Sequence, residues 1–286
     1  VRPGAKTAGL PAEIKVQSGG LDPQTLERVM RDSGAQAVVS CLASRTGVAA
    51  DAQAVDCRAN SDALKAALAH GVTQYVLLSA ICVQKPRLAF QQAKLTFEAE
   101  LQAAPLTWSI VRPTAFFKSL SGQVDRLRNG KPFLLFGDGQ LTRCKPISDR
   151  DTALYLTHCL SDPALQNRIL PIGGPGPAIS PREQGELLFK ALKQSPRFKQ
   201  VPVGMMSAII GGLSLLGLVS PKLREKAELA RIGRYYATES MLVWNPQAQC
   251  YDADATPEFG SDTLADHYAK LADGGTSDER GTHAVF

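Results

Sequence analysis

Three short apolar runs, separated by stretches of helical periodicity, constrain this chain more than any other feature. Ala35-Gln-Ala-Val-Val-Ser-Cys-Leu42, Gln74-Tyr-Val-Leu-Leu-Ser79 and Thr107-Trp-Ser-Ile-Val-Arg112 are close to continuous in apolar residues, as strands covered on both faces are. Between the first two, the segment from about Asp56 to His70 sets Ala59, Ala63, Leu64, Ala67 and Leu68 on one side of a helix. Between the second and third, Leu88 to Ala103 sets Leu95, Ala99 and Leu101 on an apolar side and Glu98 and Glu100 in solvent. Strand, helix, strand, helix, strand implies parallel pairing through right-handed crossovers. The fold class is α/β, a doubly wound parallel sheet.

Beyond Pro113 the pattern loosens. A helix is expected from Ala115 to Arg128, a strand over Lys131-Pro-Phe-Leu-Leu-Phe136, and a turn at Gly137-Asp-Gly139. Asp149 or Asp151 can cap a helix running to about Leu160. Arg168-Ile-Leu-Pro-Ile172 reads as a strand before the turn Gly173-Gly-Pro-Gly176, and Ser180-Pro-Arg-Glu183 opens a further helix with serine as cap, proline at the first position and glutamate three residues on. The division expected is a sheet domain over residues 1–130, a smaller mixed substrate region over 131–273, and a disordered tail over 274–286. The uncharged stretch Met205 to Ser220 is too short to span a membrane. It reads as a buried or pocket-lining helix, or else as a surface helix touching membrane or a hydrophobic substrate, with Lys222, Arg224 and Lys226 beside it.

Charge and cysteine usage exclude several function classes. From Asn245 onward there are two basic residues against eight acidic ones, so the preceding body carries 30 basic against 19 acidic. Such a body attracts anionic ligands or acidic lipid, yet it lacks the basic runs with interleaved aromatics of a nucleic-acid surface, and no nucleic-acid partner is expected. The six cysteines form no CxxC pair, so no metal or cluster site is indicated. Cys41 and Cys159 read as small buried hydrophobes in a protein of a reducing compartment.

Ligands of an open parallel sheet bind at the carboxyl ends of its strands. The candidate coenzyme-binding residues are therefore Cys41, Leu42 and Ala43 after the first strand, Ser79 and Ala80 after the second, and Pro113, Thr114, Ala115 and Phe116 after the third. Small residues let a flat ring or a ribose lie on the backbone, although Ser, Thr and Pro are common at any strand end. Lys94 lies on the helix after Ser79, where an ammonium can hold ribose hydroxyls; its plainer reading is a solvated helix lysine. Lys94 and Ser79 are the catalytic candidates. Short-chain dehydrogenases carry a tyrosine acid four residues before such a lysine, and here that residue is Phe90. No GxGxxG or GxxGxxG loop occurs to cradle a pyrophosphate.

Longer strings carry a resemblance. Val39-Ser-Cys-Leu-Ala-Ser-Arg45, Val76-Leu-Leu-Ser-Ala-Ile-Cys-Val-Gln-Lys-Pro86, Phe90-Gln-Gln-Ala-Lys94, Phe97-Glu-Ala-Glu-Leu101 and Ser109-Ile-Val-Arg-Pro-Thr-Ala-Phe-Phe-Lys-Ser-Leu120 are similar to the NADPH-dependent divinyl chlorophyllide a 8-vinyl reductases. The likeness runs on through Phe136-Gly-Asp-Gly139, Cys144-Lys-Pro-Ile-Ser148, Leu170-Pro-Ile-Gly-Gly-Pro-Gly176, Gln184-Gly-Glu186, Ile232-Gly-Arg-Tyr-Tyr-Ala237 and Glu239-Ser-Met241, about residues 35 to 270. These are atypical, NmrA-like short-chain dehydrogenases with a Rossmann-like fold. The resemblance implies NADPH as cofactor, a tetrapyrrole substrate (divinyl chlorophyllide or protochlorophyllide), reduction of its 8-vinyl group to ethyl in chlorophyll biosynthesis, and a chloroplast location, in the stroma or at a thylakoid or envelope surface. Reduction of a conjugated vinyl group needs no phenol bonded to a carbonyl oxygen, which accommodates Phe90. The proton donor is left open among Ser79, Cys82, Tyr75 and water.

Relative to that family the sequence departs at its front. The chain begins at Val1 and reads as processed, trimmed or incomplete, with the first βαβ unit and its glycine loop largely missing. Val1-Arg2-Pro3 matches the end of the second strand, which places Arg2 at the 2′-phosphate of NADPH. On this reading the chain by itself binds NADPH poorly or not at all and is inactive alone. Two other functions fit the same residues: a non-catalytic NmrA-like NADP(H) sensor or assembly factor, and an isoflavone-reductase-like enzyme acting on another conjugated substrate.

Overall fold

A computed structural model of the chain describes residue 7 and residues 10–274. Arg2 and residues 275–286 lie outside the described residues, and with them the 2′-phosphate expectation and nearly all of the tail.

The sheet forms where the apolar runs predict it. Strands β1 (Ala37–Ser40), β2 (Gln74–Leu78), β3 (Thr107–Pro113) and β5 (Arg168–Ile172) stand side by side in that order, all parallel. In-register pairs such as Val39 with Val76 and Val76 with Ser109 tie the first three. Alternation along each strand then feeds two cores. Tyr75, Leu77 and Ile110 pack with Leu64, Phe97 and Leu101 on one face. Val76 and Val111 pack with Ile147, Leu156 and Cys159 on the other.

The covering elements are helix α1 (Pro23–Ser33), a helical run from Ala49 to Ala69, α4 (Ala89–Gln102) and α7 (Asp149–Ser161). The run from Ala49 comprises α2 (Ala49–Ala52), a wider π-helical stretch over Gln53–Ala59, and α3 (Asn60–Ala69). Sequence periodicity places the start of this helix at Asp56, in the middle of the π-helical stretch. Ser148 caps α7 by accepting from the Asp151 N–H at 2.9 Å, rather than Asp149 or Asp151 doing so.

β5 lies within the span read as the smaller region, yet it completes the main sheet beside β3, so the sheet extends past residue 130. The stretch expected as one helix after Ala115 is two short ones, α5 (Phe117–Leu120) and α6 (Val124–Arg128). β4 (Phe133–Phe136) pairs in parallel with β6 (Phe198–Val201), a strand too polar to read from its alternation. Together with α8 (Pro181–Ala191) and α11 (Leu264–Ala272) they enclose a second core containing Phe133, Leu188, Phe189 and Tyr268.

Helices α9 (Val203–Leu216) and α10 (Pro221–Thr238) pack on each other as a hairpin. The expectation that the Met205 stretch is buried is overturned. Ile210 is the buried residue of α9, whereas Leu215, Leu216, Leu218 and Val219 are exposed. An antiparallel ribbon, β7 (Val243–Asn245) and β8 (Cys250–Asp252), follows. Among the described residues no helix is long and apolar enough to cross a membrane.

Candidate active site

A cleft of about 420 Å³ opens at the carboxyl ends of β1, β2 and β3, within the size range of small-molecule sites. Of the residues the sequence singled out, Cys41, Ala43, Ser79, Ala80, Lys94, Pro113, Thr114, Ala115 and Phe116 all line it. Leu42 does not; its N–H reaches back to Ser40 Oγ at 3.5 Å. The parallel register brings three strand ends to one level, which is why residues more than seventy positions apart meet here.

Lys94 is not a solvated helix lysine. Its Nζ lies 2.8 Å from Asp56 Oδ1, and the Asp56 side chain is wholly enclosed. Asp56 comes from the π-helical stretch, where the widened turn offsets a side chain from regular helical register; such turns recur at functional sites. Its Oδ1 also accepts from the Ser44 N–H at 3.3 Å. Oδ2 is buried with no hydrogen-bond partner. An orphaned buried carboxylate oxygen is costly, and it sits beside the ammonium of Lys94, which lines the same cleft. A vicinal diol answers both: one hydroxyl donates to Asp56 while the other accepts from Lys94. The residues present therefore fit the ribose of a nicotinamide coenzyme.

Two of the hydroxyls expected to face a ligand are instead engaged within the protein. Ser79 Oγ donates to Glu98 Oε1 at 2.5 Å, and the Thr114 hydroxyl donates to the carbonyl of Lys145. Glu98, read from the sequence as solvated, is buried and ion-paired with Arg112 of β3. Periodicity missed it because a carboxylate buried against a cation on another element looks the same in sequence as an exposed one.

α10 contributes a further part of the cleft wall. Ile232 and Tyr236 line the cleft, and Tyr235, Ile232, Phe90 and Cys82 share one buried cluster. The Tyr236 hydroxyl lies 3.8 Å from Cys82 Sγ. Tyr236 is 38% exposed as a whole, and desolvation around its hydroxyl, reinforced by the neighbouring Cys82, pushes the phenol above its ordinary value; burial likewise raises the Cys82 thiol. Of the proton sources left open, Ser79 and Cys82 are on the cleft. Tyr75 is instead fully buried in the sheet face with Phe97 and Leu101. Cys41, expected to be buried, is exposed at the cleft lip, whereas Cys159 is buried as expected. No His/Cys/Asp/Glu group among the described residues is arranged to hold a metal ion.

Comparison with known proteins bears on this geometry. A family model described as NAD(P)H-binding matches residues 1–163. The chain is 50% identical over 255 residues to the chloroplastic divinyl chlorophyllide a 8-vinyl-reductase of Cucumis sativus, an alignment covering 87% of this chain and 61% of that protein. It is 47% identical over 283 residues to the protein of the same name from Zea mays, covering 96% of this chain and 70% of that one. The chain belongs to the divinyl chlorophyllide a 8-vinyl-reductase family. It spans about three-fifths of the length of the cucumber relative. Among solved structures, an NADPH-dependent quinone oxidoreductase of Escherichia coli complexed with NADPH superimposes with a TM-score of 0.63 at 15% identity, over 90% of this chain and 83% of that one. A UDP-glucose 4-epimerase of Thermus thermophilus in complex with NAD does so at 0.58 and 18%, over 70% and 76%. At that identity the likeness is one of fold, and it corroborates the Rossmann-like sheet for this member of the reductase family.

Proposed function

We propose that the protein reduces the 8-vinyl group of divinyl chlorophyllide or protochlorophyllide to ethyl, with NADPH as reductant, in the chloroplast. The observation that carries the reading is the Lys94–Asp56 pair, with its unsatisfied Oδ2, at one end of a cleft walled by Ile81, Phe90, Phe116, Ile232 and Met241. A diol-binding ion pair beside a broad apolar wall suits a nicotinamide ribose next to a flat hydrophobic pigment.

A bound reduced nicotinamide supplies the hydride. The chain's own residues do the rest. Lys94 and Asp56 hold the ribose, and the strand-end residues Cys41, Ala43, Ala80, Pro113, Thr114, Ala115 and Phe116 floor the cleft. Ser79, its hydroxyl donated to Glu98, lines the same floor. Phe90, Phe116 and Ile232 exclude water, so charge spread over the macrocycle is not quenched before a proton arrives. β4 and α8, through Phe133, Phe136 and Gln184, line the pigment side.

The exposed α9–α10 tip, with Lys222, Arg224 and Lys226 after it, suits a peripheral contact with the membrane in which such pigments dissolve. The decisive experiment incubates the whole gene product with NADPH and each divinyl pigment and separates the products by chromatography. Monovinyl product is expected. Unchanged pigment despite tight NADPH binding would establish the sensor reading, which Phe90 favours.

A further inference from the structure

We propose that Tyr236, delivered into the cleft by α10, is the proton donor of this reduction, filling the role for which Phe90 has no hydroxyl. This rests on the reductase reading above. Among the described lining residues Tyr236 carries the one phenol, and none is a histidine. Its hydroxyl lies 3.8 Å from Cys82 Sγ, in the turn Ile81–Gln84 that follows Ser79 and Ala80, and it lines the same cleft as Asp56, the partner of Lys94. The phenol therefore lies on the cleft wall within reach of Cys82, although Tyr236 as a whole is 38% exposed.

α10 is held there by four contacts. The Tyr235 hydroxyl donates to the carbonyls of Cys82 at 2.9 Å and Lys85 at 3.1 Å. Glu239, just past the helix, pairs with Lys85 at 2.9 Å and Arg87 at 2.8 Å. The other candidates are less suited. Ser79 already donates to Glu98, Lys94 is ion-paired with Asp56, and Cys82 is almost wholly buried, 2% exposed, behind the Tyr236 hydroxyl it touches.

The step balances as follows. Hydride adds to the terminal vinyl carbon, and the C=C electron pair moves onto the carbon bonded to the ring and into the macrocycle. The Tyr236 O–H bond breaks as a C–H bond forms at that inner carbon, giving the ethyl group. The phenolate recovers a proton from water at the cleft mouth. One hydride from the reduced nicotinamide and one solvent proton are consumed.

The test is Tyr236→Phe in the whole gene product. Loss of a general acid is expected to lower kcat about 100-fold or more, to change its solvent deuterium isotope effect, and to leave the pigment's dissociation constant, read by absorbance without any nicotinamide, within about twofold. Turnover within about threefold of wild type, or pigment binding lost in step with rate, overturns the proposal. Should the variant misfold, fluorotyrosine at position 236 keeps the shape and lowers the phenol's pKa; an unchanged rate and isotope effect then overturn it equally. A wild-type protein that leaves pigment unreduced sinks the reductase reading instead, so the two failures are distinguishable.

Discussion

Asp56 offers one carboxylate oxygen to Lys94 at 2.8 Å and keeps the other buried without a partner. Removing the cation strands an enclosed charge, which costs about 3 kcal/mol or more. Lys94→Met is therefore expected to lower the unfolding free energy by about that much in urea titration, and to weaken NADPH binding. The double variant Lys94→Met, Asp56→Asn should recover most of the stability, because both charges are gone, while NADPH binding stays weak. Recovery of both would show that the pair only holds the fold.

The strands were legible because residues such as Val76 and Val111 are covered on both faces, so apolar runs survive without polar interruption. The cleft floor was legible for a related reason: parallel strands bring their carboxyl ends to one level, so Ala80 and Pro113 meet whatever their sequence separation. Asp56 was not legible, since a π-helical turn leaves no periodicity of its own. Tyr236 was not either. It lies 154 residues from Cys82, and only the packing of α10 brings them together. The exposure of α9 escaped because an uncharged helix reads alike whether it faces a core or a lipid surface.

Glu98 supports a second expectation. It is buried, paired with Arg112, and accepts the Ser79 hydroxyl. Arg112→Met leaves the carboxylate unpaired and should destabilise by about 3–5 kcal/mol. Ser79→Ala removes a single hydrogen bond, worth about 1.5–3 kcal/mol when the acceptor is charged. Because that hydroxyl is already engaged, Ser79→Ala should slow pigment reduction less than about tenfold, well short of the loss of a general acid. Urea midpoints and initial rates on the same preparations check both; a hundredfold rate loss would return Ser79 to the proton donors.

Acid should loosen the far end of α10. Burial of Glu239 by itself raises its pKa, but the Tyr251 hydroxyl, the Lys85 hydrogen bond and the Arg87 charge outweigh it and hold the carboxyl below its usual 4.5. A depressed carboxylate contributes stability that is full above the unfolded value and is lost as pH falls through the lower folded one. Stability should therefore decline below about pH 4.5, and Glu239→Gln should flatten part of that decline while lowering stability near neutrality. Trp244, whose ring lies 3.9 Å from the Lys85 ammonium and stacks edge-on with Tyr251, supplies a local fluorescence readout.

At the tip of the α9–α10 hairpin, Leu215, Leu216, Leu218 and Val219 are 70%, 53%, 75% and 85% exposed. Side chains this open contribute little to the core, so replacing them should not unfold the protein. Inserted into a lipid interface, Leu218 and Val219 would each contribute about 1.5 kcal/mol. Leu218→Gln with Val219→Gln is thus expected to cut binding to anionic vesicles roughly hundredfold while leaving the melting temperature unchanged. Lys222→Gln with Lys226→Gln should remove the salt-sensitive part of the same binding, since interfacial cations act through screened attraction. Co-sedimentation with vesicles of graded anionic content measures both. Wild-type protein that stays in the supernatant at every composition would show that this apolar tip meets something other than a membrane.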